Sequence, residues 1–257
     1  FEKTKDIVPN HLISVPHPNI SIVKNVKLIP IEMVVRGYIT GVTGTSIWGS
    51  YEKGERIIYG IKFPNGLSKN QKLPRPIITP TTKAPSTPLR ASETVHDERL
   101  TEEEIIKRKI VSPKVWKQMK KVALLLFDRG SKICSKARII LVDTKYEFGL
   151  DEKGKLILID EIHTPDSSRF WIEKTYKKRF SKGFEPENFD KEFLRLWYAK
   201  RGYKGDGKPP KMPLTLANAV SRRYIQIYKK ITGKKLKIDI TTPAPMNRLI
   251  QQYLHDS

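Results

Sequence analysis

The stretch that most constrains this chain runs from Leu141 to Trp171, LVDTKYEFGLDEKGKLILIDEIHTPDSSRFW. Two apolar runs, Ala137–Val142 and Leu156–Ile159, flank a polar connection at Asp151-Glu152-Lys153-Gly154, which is the pattern of a β-hairpin. Asp143, Lys145 and Glu147 alternate along the first strand. Side chains repeat every two residues on an extended chain, so all three point to one face. The second strand runs into Asp160-Glu161. Carboxylates converging from two paired strands make a hard-oxygen site, the kind Mg²⁺ takes when it is shared with phosphates. The same alternation suits a solvated sheet face, and spacing alone leaves both readings standing.

The rest of the chain supplies the framework. With 257 residues, 38% of them apolar, it has enough material for one large domain or two lobes with a core. No apolar run approaches the ~20 residues that span a bilayer, and no secretory signal is visible. The single cysteine, Cys134, cannot form an internal disulfide and reads as a packing residue in a reducing compartment, so a cytoplasmic protein is expected. A formal charge of +22 raises nucleic-acid binding as an alternative. The lysines are spread along the chain, however, without zinc-finger spacing or an RNP motif. Several anionic small molecules in one cleft also favour a positive site.

In chain order, Phe1–Ile13 reads as the end of a helix and its exit, with Pro9 and Asn10 as breakers. Ile20–Lys27 alternates as a strand, and Pro30 marks an edge or linker. Glu32–Thr40 alternates again, with Arg36 interrupting an apolar run. A buried unpaired charge is expensive, so Arg36 must snorkel or meet an anion, and its planar fork suits a phosphate or carboxylate. Gly41–Ser50 reads as an anion-cradling loop, Tyr51–Pro76 as a turn-rich excursion, and Ile77–Asp97 as a flexible loop because of its prolines. Thr101-Glu102-Glu103-Glu104 is a capping box. Ser112-Pro113 opens a helix with Val115, Met119, Val122, Leu125, Leu126 and Arg129 along one stripe. Phe170–Lys182 reads as a solvated basic segment. Asn188 is placed as the cap of a helix carrying Phe189, Phe193, Leu194 and Trp197, and Pro213–Thr232 as a last helix stopped by Gly233.

DTKYEFG at 143–149, DEIHTPDSSRFW at 160–171 and KLIPIEMVVRGYITG at 27–41 together resemble the signature segments of the SAICAR synthetase (phosphoribosylaminoimidazole-succinocarboxamide synthase) family of purine biosynthesis. The similarity runs from about Pro9 to Gly233. It implies a two-lobed α+β fold with antiparallel sheets and an ATP cleft between the lobes. Residues 1–27 are then the remainder of a nucleotide-binding lobe, 28–235 the substrate and metal lobe, and 236–257 an extension. The chain opens at Phe1 without methionine, and a glycine-rich nucleotide loop is expected upstream of it.

The resemblance also implies the reaction. ATP and Mg²⁺ are the cofactors, and L-aspartate is ligated to carboxyaminoimidazole ribonucleotide through an acyl phosphate; nucleic-acid and membrane partners are not expected. Asp160 and Glu147 become metal ligands, with Lys145 beside the reacting groups. Arg36 and Arg169, with Ser167 and Ser168, become partners of the ribonucleotide phosphate. Glu32 is placed on the imidazole, Thr43 and Ser46 on an anion, and Asp97, beside His96, near the amino acid or metal. Lys27, Leu28 and Ile29 form the adenine hinge, and Lys83 meets the ATP phosphates. Asp143 and Asp166 orient Lys145 and Arg169. A kinase acting on a small phosphorylated substrate is a further alternative with the same layout.

Overall fold

The computed structural model describes residues 1–42, 46–83, 98–203, 207–236, 247, 248, 250 and 251. Thr43, His96 and Asp97 lie outside them. After a 3-10 turn at Glu2–Thr4 the strands β1 (Leu12–His17), β2 (Ile20–Val23), β3 (Lys27–Leu28) and β4 (Ile31–Ile39) follow. Next come α1 (Ile47–Glu52), β5 (Ile57–Ile58), β6 (Ile61–Lys62), β7 (Gln71–Thr82), α2 (Glu102–Lys107) and α3 (Pro113–Lys136). The remainder is β8 (Ile139–Leu150), β9 (Leu156–Ile159), β10 (Ser168–Ile172), α4 (Glu173–Ser181), α5 (Glu192–Ala199) and α6 (Leu214–Thr232). This is the expected α+β architecture, and every strand pairing between these elements is antiparallel.

β8 is the spine of a six-stranded sheet ordered β10-β8-β4-β7, with β3 and β9 also paired to β8. Its first half lies between β10 and β4, and its second half takes β9 and β3. The expected hairpin forms with Glu147 opposite Ile159 and Leu150 opposite Leu156. Asp151 ties its turn by accepting from the backbone N–H of Lys153 at 3.0 Å and Lys155 at 2.7 Å.

Strand β4 shows how alternation builds two surfaces. Ile31, Met33 and Val35 are fully buried on one face, while Glu32, Val34 and Arg36 face a cleft on the other. Helix α3 covers the apolar face with Trp116, Met119, Ala123, Leu126, Phe127 and Cys134, packed in one cluster with Met33, Val35, Tyr146 and Phe148. Removing a large side chain from such a core costs about 2–5 kcal/mol. The true stripe of α3 is rotated from the expected one, since Leu125 is 44% exposed and Trp116 is buried. Cys134 is buried within α3, as a packing residue.

Several other expectations need correction. Of Phe1–Ile13, read as a helix end and its exit, only Glu2–Thr4 is helical, as a 3-10 turn, and Leu12 and Ile13 already belong to strand β1 paired with β2. Ile77–Thr82 is the end of β7, not a loop: its prolines are tolerated because β7 is the sheet edge. Ile47–Glu52 is a helix, capped by Ser46, whose hydroxyl accepts from Gly49 N–H at 3.0 Å. Gly41 makes that cap possible, since a Cβ there would lie 2.3 Å from the Ser46 Cβ. The start of the basic segment is buried, with Phe170 and Trp171 at 0% and 2% exposure in β10. Asn188 bridges to Trp171 instead of capping α5, and Asp190 accepts from Glu192 N–H at 2.8 Å at that helix start. The capping box at Thr101, the Ser112-Pro113 start and the Gly233 stop form as expected.

Candidate active site

Sheet register sets the central row of the site. Asp143 on β8 stands opposite Arg36 on β4 and opposite Arg169 on β10, so one carboxylate lies between two guanidinium groups across three strands. Its Oδ2 is 3.3 Å from Arg36 Nη1 and 2.6 Å from Arg169 Nη1. Arg36 also donates from Nε to Thr79 Oγ1 at 2.8 Å. Arg169 reaches Glu192 Oε2 with its other nitrogen at 3.2 Å. Burial works against the Arg169 cation, but Asp143, Glu192 and Asp190 outweigh it and hold its proton more firmly than usual.

Two residues along β8, Lys145 forms the second group. Its Nζ lies 2.5 Å from Glu147 Oε1, 3.0 Å from Glu32 Oε1 and 3.5 Å from Asp160 Oδ2. Lys83 from the end of β7 pairs with the other oxygen of Glu147. Burial opposes the Lys145 charge, yet hydrogen bonds to Glu147 and Glu32 raise its pKa above the ordinary lysine value. Burial likewise pushes Glu147 towards protonation, and Lys145 and Lys83 together hold its pKa below the usual carboxylate value. Asp160 adopts a left-handed backbone with φ 62° directly after β9, which turns its side chain back over Lys145.

Glu32, Arg36, Asp143, Lys145 and Arg169 line a cleft of about 490 Å³ together with Ser46, Ser167, Ser168 and residues not foreseen, whereas Glu147, Asp160 and Lys83 lie outside its lining and reach it only through Lys145. Ser167 accepts from the Lys145 backbone N–H at 3.0 Å through its carbonyl, and Ser168 Oγ lies 2.8 Å from Thr144 Oγ1. Lys27, Leu28 and Ile29 are placed elsewhere, along the second half of β8. Lys27 and Leu28 pair with Leu150 and Gly149, and Ile29 donates its N–H to Phe148 at 3.0 Å. Leu28 is 44% exposed there, while Ile29 is buried.

Sequence reasoning missed Asp190, Glu192, Lys191 and Arg195, all of which line the cleft. Asp190 and Lys191 lie just before α5 and Glu192 and Arg195 in its first turn, where residue spacing announces a helix start and nothing more. Glu192 accepts from Arg169 and from Arg195, at 3.2 and 3.4 Å. Burial raises Asp190 to about 7, against the pull of Arg169 and two backbone N–H donors. Arg99, also lining the cleft, donates to Ser50 Oγ at 2.6 Å.

No group of three or more His, Cys, Asp and Glu side chains among the described residues is arranged to enclose a metal by itself. Glu147 and Asp160 nonetheless converge on one point, the Lys145 ammonium. Two carboxylates suit Mg²⁺, which keeps several waters and takes further oxygens from substrate phosphates. No helix among the described residues is long and apolar enough to cross a membrane.

The family model for SAICAR synthetase matches residues 1–211. A phosphoribosylaminoimidazole-succinocarboxamide synthase of Legionella pneumophila (strain Lens) is 48% identical over 258 aligned positions, covering 99% of this chain and 79% of its own. Among solved structures, the SAICAR synthase of Saccharomyces cerevisiae complexed with SAICAR superposes with a TM-score of 0.72 at 31% identity, over 93% of this chain and 79% of that one. A type-2 SAICAR synthetase in complex with ADP gives a TM-score of 0.63 at 27% identity, over 91% and 76% of the two chains.

Proposed function

The chain belongs to the SAICAR synthetase family, and from that premise we propose which of its side chains carry the family's reaction. The protein is an ATP-dependent carbon–nitrogen ligase of purine biosynthesis that joins L-aspartate to carboxyaminoimidazole ribonucleotide. A carboxylate resists attack by an amine because its charge is delocalised and it has no leaving group. Transfer of the ATP γ-phosphoryl to that carboxylate gives an acyl phosphate and ADP. The aspartate amine then attacks the acyl carbon, inorganic phosphate leaves, and an amide remains.

Such chemistry asks a protein for positioning and charge neutralisation more than for covalent help. Arg36 and Arg169 hold the ribonucleotide 5′-phosphate, assisted by Ser167 and Ser168, while Asp143 keeps the two cations side by side. Lys145 neutralises charge between the reacting carboxylate and the phosphoryl group, and Glu32 contacts the imidazole. Lys83 meets the ATP phosphates, and Lys27–Ile29 offer the adenine hinge. Glu147 and Asp160 hold Mg²⁺, which when bound supplies positive charge to the phosphate oxygens. The ADP complex of the relative at 27% identity supports nucleotide binding on this fold.

The observation that carries this reading is the pairing of two clusters on one sheet face. The Arg36–Asp143–Arg169 row suits a dianion, and the Lys145–Glu147–Asp160 group suits a metal-bound polyphosphate. The acyl phosphate is tested with ribonucleotide labelled by ¹⁸O in its carboxylate. One labelled oxygen per turnover must appear in the released phosphate. Phosphate free of label would refute that intermediate.

A further inference from the structure

The segment between β9 and β10 carries Asp160, Asp166 and Ser167, and two of its non-glycine residues have left-handed backbone, Asp160 at φ 62° and His163 at φ 53°. That conformation is unfavourable for residues with a Cβ and persists only where the surroundings enforce it. The His163 ring is held on its own residue's side by two contacts. Its Nε2 lies 2.6 Å from the hydroxyl of Tyr146, and the two rings meet edge-on with centroids 5.5 Å apart. On its other side the ring sits in a notch of α3: a Cβ added at Gly130 would lie 2.4 Å from His163 Cε1 and 2.6 Å from Nε2. Only glycine leaves room for the imidazole at this point of the helix.

Tyr146 is itself fully buried between Lys145 and Glu147 on β8, with its ring on the α3 side of the sheet. Burial lowers the His163 pKa to about 3, so the imidazole stays neutral and the bond to Tyr146 is independent of pH through the neutral range. Beyond the histidine, Thr164 Oγ1 accepts from Asp166 N–H at 3.2 Å and Ser167 N–H at 3.3 Å, and Thr164 carbonyl accepts from Ser168 N–H at 2.9 Å. Thr164, next to the anchored ring, thus ties the chain forward to Ser167 and Ser168, and Asp160 lies three residues before the ring.

We propose that His163 is a positioning residue, whose ring, seated over Gly130 and bonded to Tyr146, fixes the 160–168 segment so that Asp160 and Ser167 face Lys145. The proposal rests on the reading of that segment as part of the active site. Its test compares wild-type full-length protein with Gly130→Ala, His163→Ala and the double variant. Hydrogen exchange over 160–168 and the separate kcat and KM values are measured well below each unfolding midpoint.

Alanine is the better helix former, so Gly130→Ala is expected to fold while displacing the ring. Its 160–168 amides should exchange about tenfold faster, with β4 and β7 unchanged. Its kcat should fall about tenfold, with KM for aspartate held within about twofold. In the His163→Ala background Gly130→Ala should add no further loss, since the ring it collides with is gone. Unchanged exchange, faster exchange with unchanged kcat, or simple multiplication of the two losses would each overturn the proposal. If Gly130→Ala does not fold, Tyr146→Phe serves in its place with the same exchange and kcat expectations. Absence of ligase turnover in the wild type would defeat the reading of the cleft instead, and the exchange data would still decide the anchoring.

Discussion

Arg36 and Arg169 meet at a single oxygen, Oδ2 of Asp143, at 3.3 and 2.6 Å from their respective Nη1 atoms. Two cations this close repel each other unless an anion lies between them, and the sheet register puts one there. Removing one partner of a buried ion pair leaves uncompensated charge, which costs more than the pair contributes. Asp143→Ala is therefore expected to lower unfolding stability by about 3 kcal/mol, as measured by urea denaturation at pH 7. A loss within about 0.5 kcal/mol, the range of ordinary surface substitutions, would show that the row does not depend on its carboxylate.

Arg36 should act on substrate binding more than on turnover. Its guanidinium is held by Thr79 and Asp143 at the cleft wall. Arg36→Ala removes a charge-assisted phosphate contact worth about 2 kcal/mol, or about thirtyfold in KM for the ribonucleotide. Steady-state kinetics with each substrate varied in turn checks this. An unchanged KM for the ribonucleotide would remove Arg36 from the phosphate site.

Asp160 is the exposed member of the lysine cluster, with 44% of its side chain accessible. Asp160→Asn keeps shape and removes charge, so the fold should survive while metal-dependent turnover falls by about 10²-fold or more. Circular dichroism and rates across a Mg²⁺ titration separate the two effects. Substantial Mg²⁺-dependent activity in this variant would rule out the metal role.

The buried Asp190 gives a pH signature. Burial raises its folded pKa to about 7, whereas the unfolded chain has the ordinary value near 3.8. Between those values the folded state binds the extra proton, so stability from this group is full below about pH 4 and is lost as pH rises through 7. The stability difference between wild type and Asp190→Asn should accordingly shift against the wild type from pH 5 to pH 8. Denaturation curves at several pH values measure it, and a difference that is flat over this range would contradict the assigned protonation.

The parts legible in the sequence are those written in short periods. Alternation along 143–147 put Asp143, Lys145 and Glu147 on one face, and the turn at Asp151–Gly154 announced the hairpin. Helices with local caps, at Thr101, Ser112 and Gly233, were equally readable. Strand β7 was not, because prolines that ordinarily forbid a strand are harmless at the sheet edge, a position set by tertiary pairing alone. Asp190 and Glu192 were hidden for a related reason. The meeting of Glu192 with Arg169 and of Asp190 with the Phe170 N–H depends on how the α5 entry folds over β10, and no local spacing encodes those contacts. His163 stood within a recognised segment, yet its partner Gly130 lies on a different element and carries no side chain to read.

The most direct test of the account is product formation by the full-length protein from ATP, Mg²⁺, L-aspartate and carboxyaminoimidazole ribonucleotide, with each component omitted in turn. Succinocarboxamide ribonucleotide, ADP and phosphate are expected in equal amounts, with no amide product when any one component is missing. Stable phosphorylation of the ribonucleotide that proceeds equally well without aspartate, or no turnover at all from folded full-length protein, would contradict it.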